Sequence, residues 1–349
     1  MRVSRMSTRI ERGANQLKIS SAAFFALIIA TANLGQVAAA EPATPPYLTL
    51  AALRAKYADP KGHYTQVDGL EVYYKDEGSG PAILMIHGSS STLHTYDFVA
   101  AKLIDRFRVI RFDIPDQGLS GPVTDADLAR LKVDPKVGTS DIAEHLLDQL
   151  GVKSATVAGV SSGGTMALYL AAKRPDLVSR VIVSNSPSDP IETLRSSRPT
   201  APEMIAMQKK IEADPAHFQT REFWDVDFGN LAGVPSRITP AIREQYYDFN
   251  RRPPSKNRIA FSSKVANHQF SLDQFNRVKV PVLLLWGARD PMLGVNWADV
   301  LARYLIQAQV SEVILPDVGH YPPLEVPERY AQIVAAFMEA ATPPEALHQ

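Results

Sequence analysis

The chain contains no cysteine. That excludes thiol catalysis, cysteine-held iron–sulfur clusters, lipid attachment to a cysteine and any disulfide staple. Net charge is missing as well: 37 Lys and Arg face 37 Asp and Glu, and no block of like charge stands out. The basic footprint of a nucleic-acid binder is therefore absent. There is no H-E-x-x-H, no G-x-x-x-x-G-K-[ST] and no G-x-G-x-x-G, so zinc peptidases, nucleotide hydrolases and dinucleotide enzymes all lack their groups. No cofactor and no metal are expected, and the expected partner is a small molecule.

What is present is ordinary soluble composition, 45% hydrophobic and 21% charged, spread over 349 residues. One or two domains fit that length. The first forty residues differ from the rest. Arg2, Arg5, Arg9, Arg12 and Lys18 precede "AAFFALIIATANLGQVAAA", and Ala38 and Ala40 occupy A-x-A positions before Glu41. This order describes a secretory signal peptide over 1–40. Thr31, Asn33, Gly35 and Gln36 break the apolar run, so a retained membrane anchor is the weaker alternative. Export to the periplasm or the medium is expected, without stable membrane insertion once the leader is gone. A chain of the remaining size buries enough apolar surface to dispense with disulfides.

Past a proline-rich tether and a short helix (41–63), strand and helix patterns alternate. "YTQVDG" and "LEVYYKDEGSG" read as a hairpin. "AILMIHG", "FRVIRFD", "SATVAGV", "VSRVIVSNS", "VPVLLLWG" and "VSEVILPD" are short apolar runs, as expected of strands covered on both faces. Helical patterns such as "SDIAEHLLDQLG", "NWADVLARYL" and "ERYAQIVAAFMEAA" separate them. The expected fold is α/β, a mostly parallel, doubly wound sheet. Segment 188–278 lacks a buried strand and carries Phe218, Phe223, Trp224, Phe228, Tyr246, Tyr247 and Phe249. It reads as a helical cap inserted after the sixth strand, with the core formed by 64–187 and 279–341.

Gly159-Val160-Ser161-Ser162-Gly163 matches G-x-S-x-G between a strand and a helix. A nucleophile on so sharp a turn needs small residues two places to either side. Centring on Ser161 puts glycine at both, whereas centring on Ser162 would put Val160 at one. The N–H of Ser162, at the helix start, can then point at an oxyanion. His320, after the last strand, is the candidate base. Asp290, after "VLLLWG", is the candidate acid that holds the imidazole, with Asp189 as rival. Asp290 could also serve an Asx turn ahead of Pro291. "HGSSS" places Gly88 and Ser89 after an earlier strand, so Ser89 N–H is the natural second oxyanion donor, with His87 bracing the turn. Histidines 63, 94, 145, 217 and 268 stand singly and read as packing or surface residues.

Taken together, "HGSSS", "FDIPDQGLSG", "GVSSGG", "WGARDPM" and "VGHYPPLEVPERY" resemble the α/β-hydrolase family, of the capped, lipase- or esterase-like kind. The resemblance spans most of 64–341. It implies Ser161 as nucleophile, Asp290 as acid, His320 as base, and Ser89 with Ser162 as oxyanion donors. Two departures from the family pattern matter. Pro115-Asp116 replaces the family's Pro-Gly, which suggests an extra carboxylate near the pocket mouth. Serine at the elbow, where relatives that open epoxides or remove halides carry aspartate, disfavours those two activities.

The expected activity is hydrolysis of a carboxylic ester or lactone of small to medium apolar size through an acyl-enzyme. Hydrolysis of a carbon–carbon bond in a β-diketone-like compound by the same triad is the alternative. A non-catalytic binding protein on the same fold is a third reading. Trp224 is the best single candidate for lining a pocket, although packing of cap helices accounts equally well for each cap aromatic.

Overall fold

The computed structural model describes residues 46–130, 139–187, 201–266 and 272–340. The expected leader, Asp189 and His268 lie outside them. Eight strands form one sheet: β1 (Gly62–Val67), β2 (Leu70–Glu77), β3 (Ala82–Ile86), β4 (Arg108–Phe112), β5 (Ala155–Val160), β6 (Val178–Ser184), β7 (Val282–Gly287) and β8 (Val310–Leu315). Their order is β1-β2-β4-β3-β5-β6-β7-β8. The β1–β2 hairpin and the β2–β4 pairing are antiparallel, and every pairing from β4 through β3 to β8 is parallel.

Burial explains why the central strands read as unbroken apolar runs. All six residues of β5 and of β7 are buried, while the edge strands β1 and β8 are exposed or half-buried at all but their last residue. Successive side chains of β3 go to opposite faces: Leu84 and Ile86 join one core layer, Ile83 and Met85 the other. The first layer is closed by Ile142 and Leu146, Leu168 and Leu170, and Leu301, each from a helix on that face. The second is closed by Val99, Leu103, Tyr330 and Val334. Each fully buried side chain of this size contributes about 2 kcal/mol of transfer free energy. Two covered faces hold the sheet.

Between β6 and β7 lie five described α-helices, Pro202–Ala213, Arg221–Leu231, Pro240–Phe249, Lys256–Ala266 and the short Leu272–Phe275. Thr220 and Thr239 start the second and third by accepting the N–H of Phe223 and Ile242 at 3.2 and 3.3 Å. The apolar faces of the first three meet in a cluster that includes Met204, Phe223, Trp224, Phe228, Ile242 and Tyr246, whereas Phe261 and Phe275 of the last two join the first core layer. Tyr321 and Leu324, just past His320, belong to the same cluster. The cap core is thus continuous with the segment that carries the candidate base. The tether helps to hold it: Leu48 N–H donates to Arg251 C=O at 2.8 Å, and Tyr47 packs edge-on against Phe218. Phe249 faces away from the cap cluster, stacking near Tyr57 of the helix Leu50–Tyr57 and on His94.

Asp116, the departure from the family pattern, lies in the loop after β4. It is buried, at positive φ of 61°, and its carboxylate accepts from Arg252 at 2.9 Å and from Ser255 at 3.0 Å. Arg252 also reaches the carbonyls of Gly118 and Ser120. The extra carboxylate ties the loop after β4 to the cap segment.

Candidate active site

Parallel strands end at one edge of the sheet, and the candidate residues all follow strand ends there. Ser161 follows β5 directly. Its backbone sits at φ 54° and ψ −131°, a conformation that L side chains rarely adopt, held by its N–H donating to Ser184 C=O at 2.9 Å. The helix Ser162–Lys173 begins immediately after it. The flanking glycines are required by close approach. A Cβ on Gly159 would lie 2.1 Å from the carbonyl oxygen of Gly163, and one on Gly163 would lie 2.2 Å from that of Ile86. The turn can be this tight only without side chains at those two positions.

The loop after β3 lies against this turn. A Cβ on Gly88 would come within 2.9 Å of Ser161 Cβ, and Ser89 Oγ lies 3.1 Å from Ser162 Oγ. His87 orients the loop. Ile114 N–H donates to His87 Nε2 at 3.1 Å, so the proton is on Nδ1, which donates to Gly88 C=O at 2.8 Å. Burial holds this imidazole below its ordinary value, in keeping with the neutral tautomer. In a trans peptide the N–H points opposite the C=O, so tying down Gly88 C=O turns Ser89 N–H to the other side. Among the described residues neither Ser89 N–H nor Ser162 N–H donates to a protein acceptor. Both are free for a ligand.

Asp290 follows β7 and His320 follows β8, and the two meet. His320 Nδ1 donates to Asp290 Oδ2 at 2.7 Å, with both side chains buried. Asp290 Oδ1 accepts the N–H groups of Met292 and Leu293 at 2.8 and 3.1 Å, so the Asx-turn role and the imidazole-holding role coexist. With Nδ1 carrying the proton, Nε2 of His320 is left as the acceptor. Burial pushes His320 down, but Asp290, Asp227 and Glu325 together outweigh it and leave the pKa raised.

Several residues that motif reading passed over complete the site. Asn185, after β6 and at positive φ, donates to Asp290 Oδ2 at 2.9 Å and to Gly287 C=O at 3.1 Å, while its own oxygen accepts Gly287 N–H. Buried Glu325 accepts the N–H groups of Gly319 and Gly233 at 2.8 Å each and of Val234 at 3.3 Å. It fastens the His320 loop to the end of a cap helix. Asp227, on the helix Arg221–Leu231, acts electrostatically on His320. The only signal for Asn185 in the sequence is its place at a strand end, and Glu325 and Asp227 carry none.

The comparisons with known proteins agree with this architecture. Residues 81–327 match the family model described as alpha/beta hydrolase fold. The chain is an α/β-hydrolase. A pimeloyl-[acyl-carrier protein] methyl ester esterase of Nitrosomonas europaea is 25% identical to the hydrolase over 262 residues, covering 74% of this chain and 96% of that one. Among solved structures, a bacterial membrane phospholipase A superposes with TM-score 0.64 at 24% identity, covering 83% of this chain and 90% of that one. An esterase of Thermogutta terrifontis gives TM-score 0.60 at 24% identity, covering 79% and 97%. Relatives of the hydrolase include an esterase, a diacylglycerol lipase and an epoxide hydrolase, which supports an ester hydrolase at a coarse level.

Trp224 is buried in the cap cluster, edge-on to Phe223 and 6.1 Å from Tyr246. Packing accounts for the ring, but its Nε1 has no hydrogen-bond partner among the described residues. Among the described residues no helix is long and apolar enough to cross a membrane, and no group of acidic, histidine or cysteine side chains could hold a metal ion.

Proposed function

We propose that the hydrolase cleaves carboxylic esters or lactones of small to medium apolar compounds through an acyl–Ser161 intermediate. The observation that supports this most is Ser161 itself: a left-handed residue on a strand-to-helix turn, beside two backbone N–H groups that serve no protein acceptor. In this mechanism His320 Nε2 takes the hydroxyl proton as Ser161 Oγ bonds to the carbonyl carbon. The carbonyl π electrons move to oxygen, which accepts from Ser89 and Ser162 N–H. Asp290 keeps Nδ1–H in place and stabilises the imidazolium. Collapse of the tetrahedral species expels the alkoxide, which takes the proton from His320. Water then repeats the sequence on the acyl carbon, and Ser161 departs with its proton restored. Each backbone donor supplies about 3 kcal/mol of transition-state stabilisation, roughly a hundredfold in rate.

The test is hydrolysis of a p-nitrophenyl ester together with labelling by a fluorophosphonate. The wild-type hydrolase is expected to turn over and to label, and Ser161→Ala to lose both. Wild-type turnover by Ser161→Ala would overturn the assignment. We also propose that residues 1–40 direct export and are removed, on the basic, apolar and small-residue order of that segment. Amino-terminal sequencing of the exported protein should then begin at Glu41, and a sequence still starting within the first forty residues would refute it.

A further inference from the structure

The "HGSSS" motif supplies three serines, and the proposed oxyanion hole uses only the first, Ser89. The next two are held by the cap. Ser90 is a non-glycine residue in the left-handed region, at φ 55°, a conformation that persists only where neighbours fix it. Its C=O accepts from Asn250 Nδ2 at 2.9 Å, and the same amide donates to Tyr246 C=O at 2.8 Å. Only the nitrogen of an asparagine side chain can face two carbonyls, which fixes the orientation of the amide. Ser91 Oγ lies 2.8 Å from Tyr246 Oη, which lies 2.9 Å from Thr95 Oγ1, and Ser91 and Thr95 bond to each other. Three hydroxyl protons serve three contacts, so each group can donate once and accept once in a closed ring. All three residues are buried.

Both sides of this arrangement are anchored independently of the loop. On the core side, Thr95 belongs to the 3₁₀ turn Leu93–Tyr96, whose start is fixed by Leu93 N–H donating to Asp113 Oδ1 at 2.7 Å. On the cap side, Tyr246 and Asn250 lie one turn apart at the end of the helix Pro240–Phe249. Asp248, between them, is held by Lys56 Nζ at 2.5 Å and by Tyr57 Oη at 2.8 Å. Upstream, the loop is tied through Gly88 C=O to His87. Ser89 is thus flanked by a core clamp on Gly88 and a cap clamp on Ser90 and Ser91.

We propose that Tyr246 and Asn250 are positioning residues for the Ser89 N–H, so that the cap helix, and not the core alone, sets the second oxyanion donor. The inference rests on Ser161 as the ester nucleophile. Held at Gly88 alone, the peptide of Ser89 can pivot, and Ser90 can relax out of its left-handed conformation. The donor then loses its aim at the oxygen on which charge develops, which weakens transition-state binding and leaves ground-state binding alone. The loss is bounded by the worth of one donor, because Ser162 N–H belongs to the helix start and not to the loop.

The experiment measures kcat and KM of Tyr246→Phe, Asn250→Ala and the double variant on a p-nitrophenyl ester. Tyr246→Phe keeps the ring in the cap core, and Asn250 is half-buried outside that core. Each single variant is expected to lose about tenfold in kcat and the double variant about a hundredfold, with KM changed by less than about twofold. Inhibition by an alkyl trifluoromethyl ketone should weaken by the same factors. Ser161 Oγ adds to its carbonyl carbon, the hydroxyl proton passes to His320, and the carbonyl electrons move to an oxygen that needs the same donors. Hydrogen exchange over residues 88–95 is a readout independent of turnover, and it should quicken about fivefold for each bond lost. A double variant with kcat within about twofold of the wild type, a loss carried by KM, unchanged ketone affinity or unchanged exchange would each overturn the proposal. If the wild type hydrolyses no ester while exchange quickens in the variants, the ester reading fails and the cap clamp on the loop stands.

Discussion

Asn185 and His320 donate to the same oxygen of Asp290, at 2.9 and 2.7 Å. The carboxylate is thus held from both sides, with the other oxygen fixed by two backbone N–H groups. Asn185 is a positioning residue, and its removal should act through the imidazole. Asn185→Ala is expected to lower kcat by about tenfold to a hundredfold with KM little changed, the cost of a small misplacement of a reacting group. Asp290→Asn, which removes the charge and disturbs the tautomer, should cost about ten-thousandfold. Steady-state kinetics on a p-nitrophenyl ester distinguishes them, and equal losses would contradict the ranking.

The elbow should tolerate no added methyl group. Gly163→Ala would drive a Cβ to 2.2 Å from the backbone oxygen of Ile86, and no flexible side chain is there to yield. We expect esterase activity and fluorophosphonate labelling to fall together, at least about a hundredfold, as Ser161 is displaced. A soluble Gly163→Ala protein labelling at the wild-type rate would show that the turn can relax.

The acid limb of the rate profile follows from the charges facing His320. The proposed mechanism needs neutral Nε2, and the pKa of this imidazole is raised from 6.5 because Asp290, Asp227 and Glu325 outweigh burial. Activity should therefore be lost, as pH falls, at a value above that of an ordinary histidine. Asp227→Asn removes one of the raising charges, so its acid limb should move to lower pH. The check is kcat/KM for an uncharged ester between about pH 5 and 9. An unmoved or upward-shifted limb would argue against an electrostatic influence of Asp227 on His320.

Asp116 and Arg252 form a buried pair between core and cap segment. Arg252→Met leaves the buried carboxylate with only Ser255 at 3.0 Å and the more distant Arg258 at 3.9 Å, and should destabilise the fold by about 3 kcal/mol, read as a lower midpoint in urea. The double variant Asp116→Gly/Arg252→Met should recover most of that loss. It removes the orphaned charge and places glycine where the backbone has a φ of 61°. Without recovery, the pair would be contributing through something other than mutual compensation.

Much of the architecture could be read from the chain because its signals are local. β5 and β7 announce themselves as short apolar runs, and the G-x-S-x-G turn is written in five consecutive residues. Asp290 and His320 stand out because each follows such a run. The cap aromatics could not be sorted in advance. Phe228 and Tyr246 join the cap core while Phe249 turns to the tether, a choice set by helix packing rather than residue type. The supporting polar groups were hidden for a similar reason. Asn185 meets Asp290 across 105 positions and Asp116 meets Arg252 across 136, distances over which spacing carries no information. Asp116 was visible as a departure from pattern, yet its partner was not.

The Glu325 carboxylate gathers backbone N–H groups from Gly319 on one side and from Gly233 and Val234 on the other. Because main-chain atoms are what it grips, the joint is indifferent to which side chains the neighbouring helix displays. Residues upstream of Leu231 that lie outside the cap cluster can therefore be exchanged while the imidazole keeps its anchorage. A chimera that cuts between Leu231 and Val234, by contrast, would loosen the His320 loop even if Ser161, Asp290 and His320 were all retained.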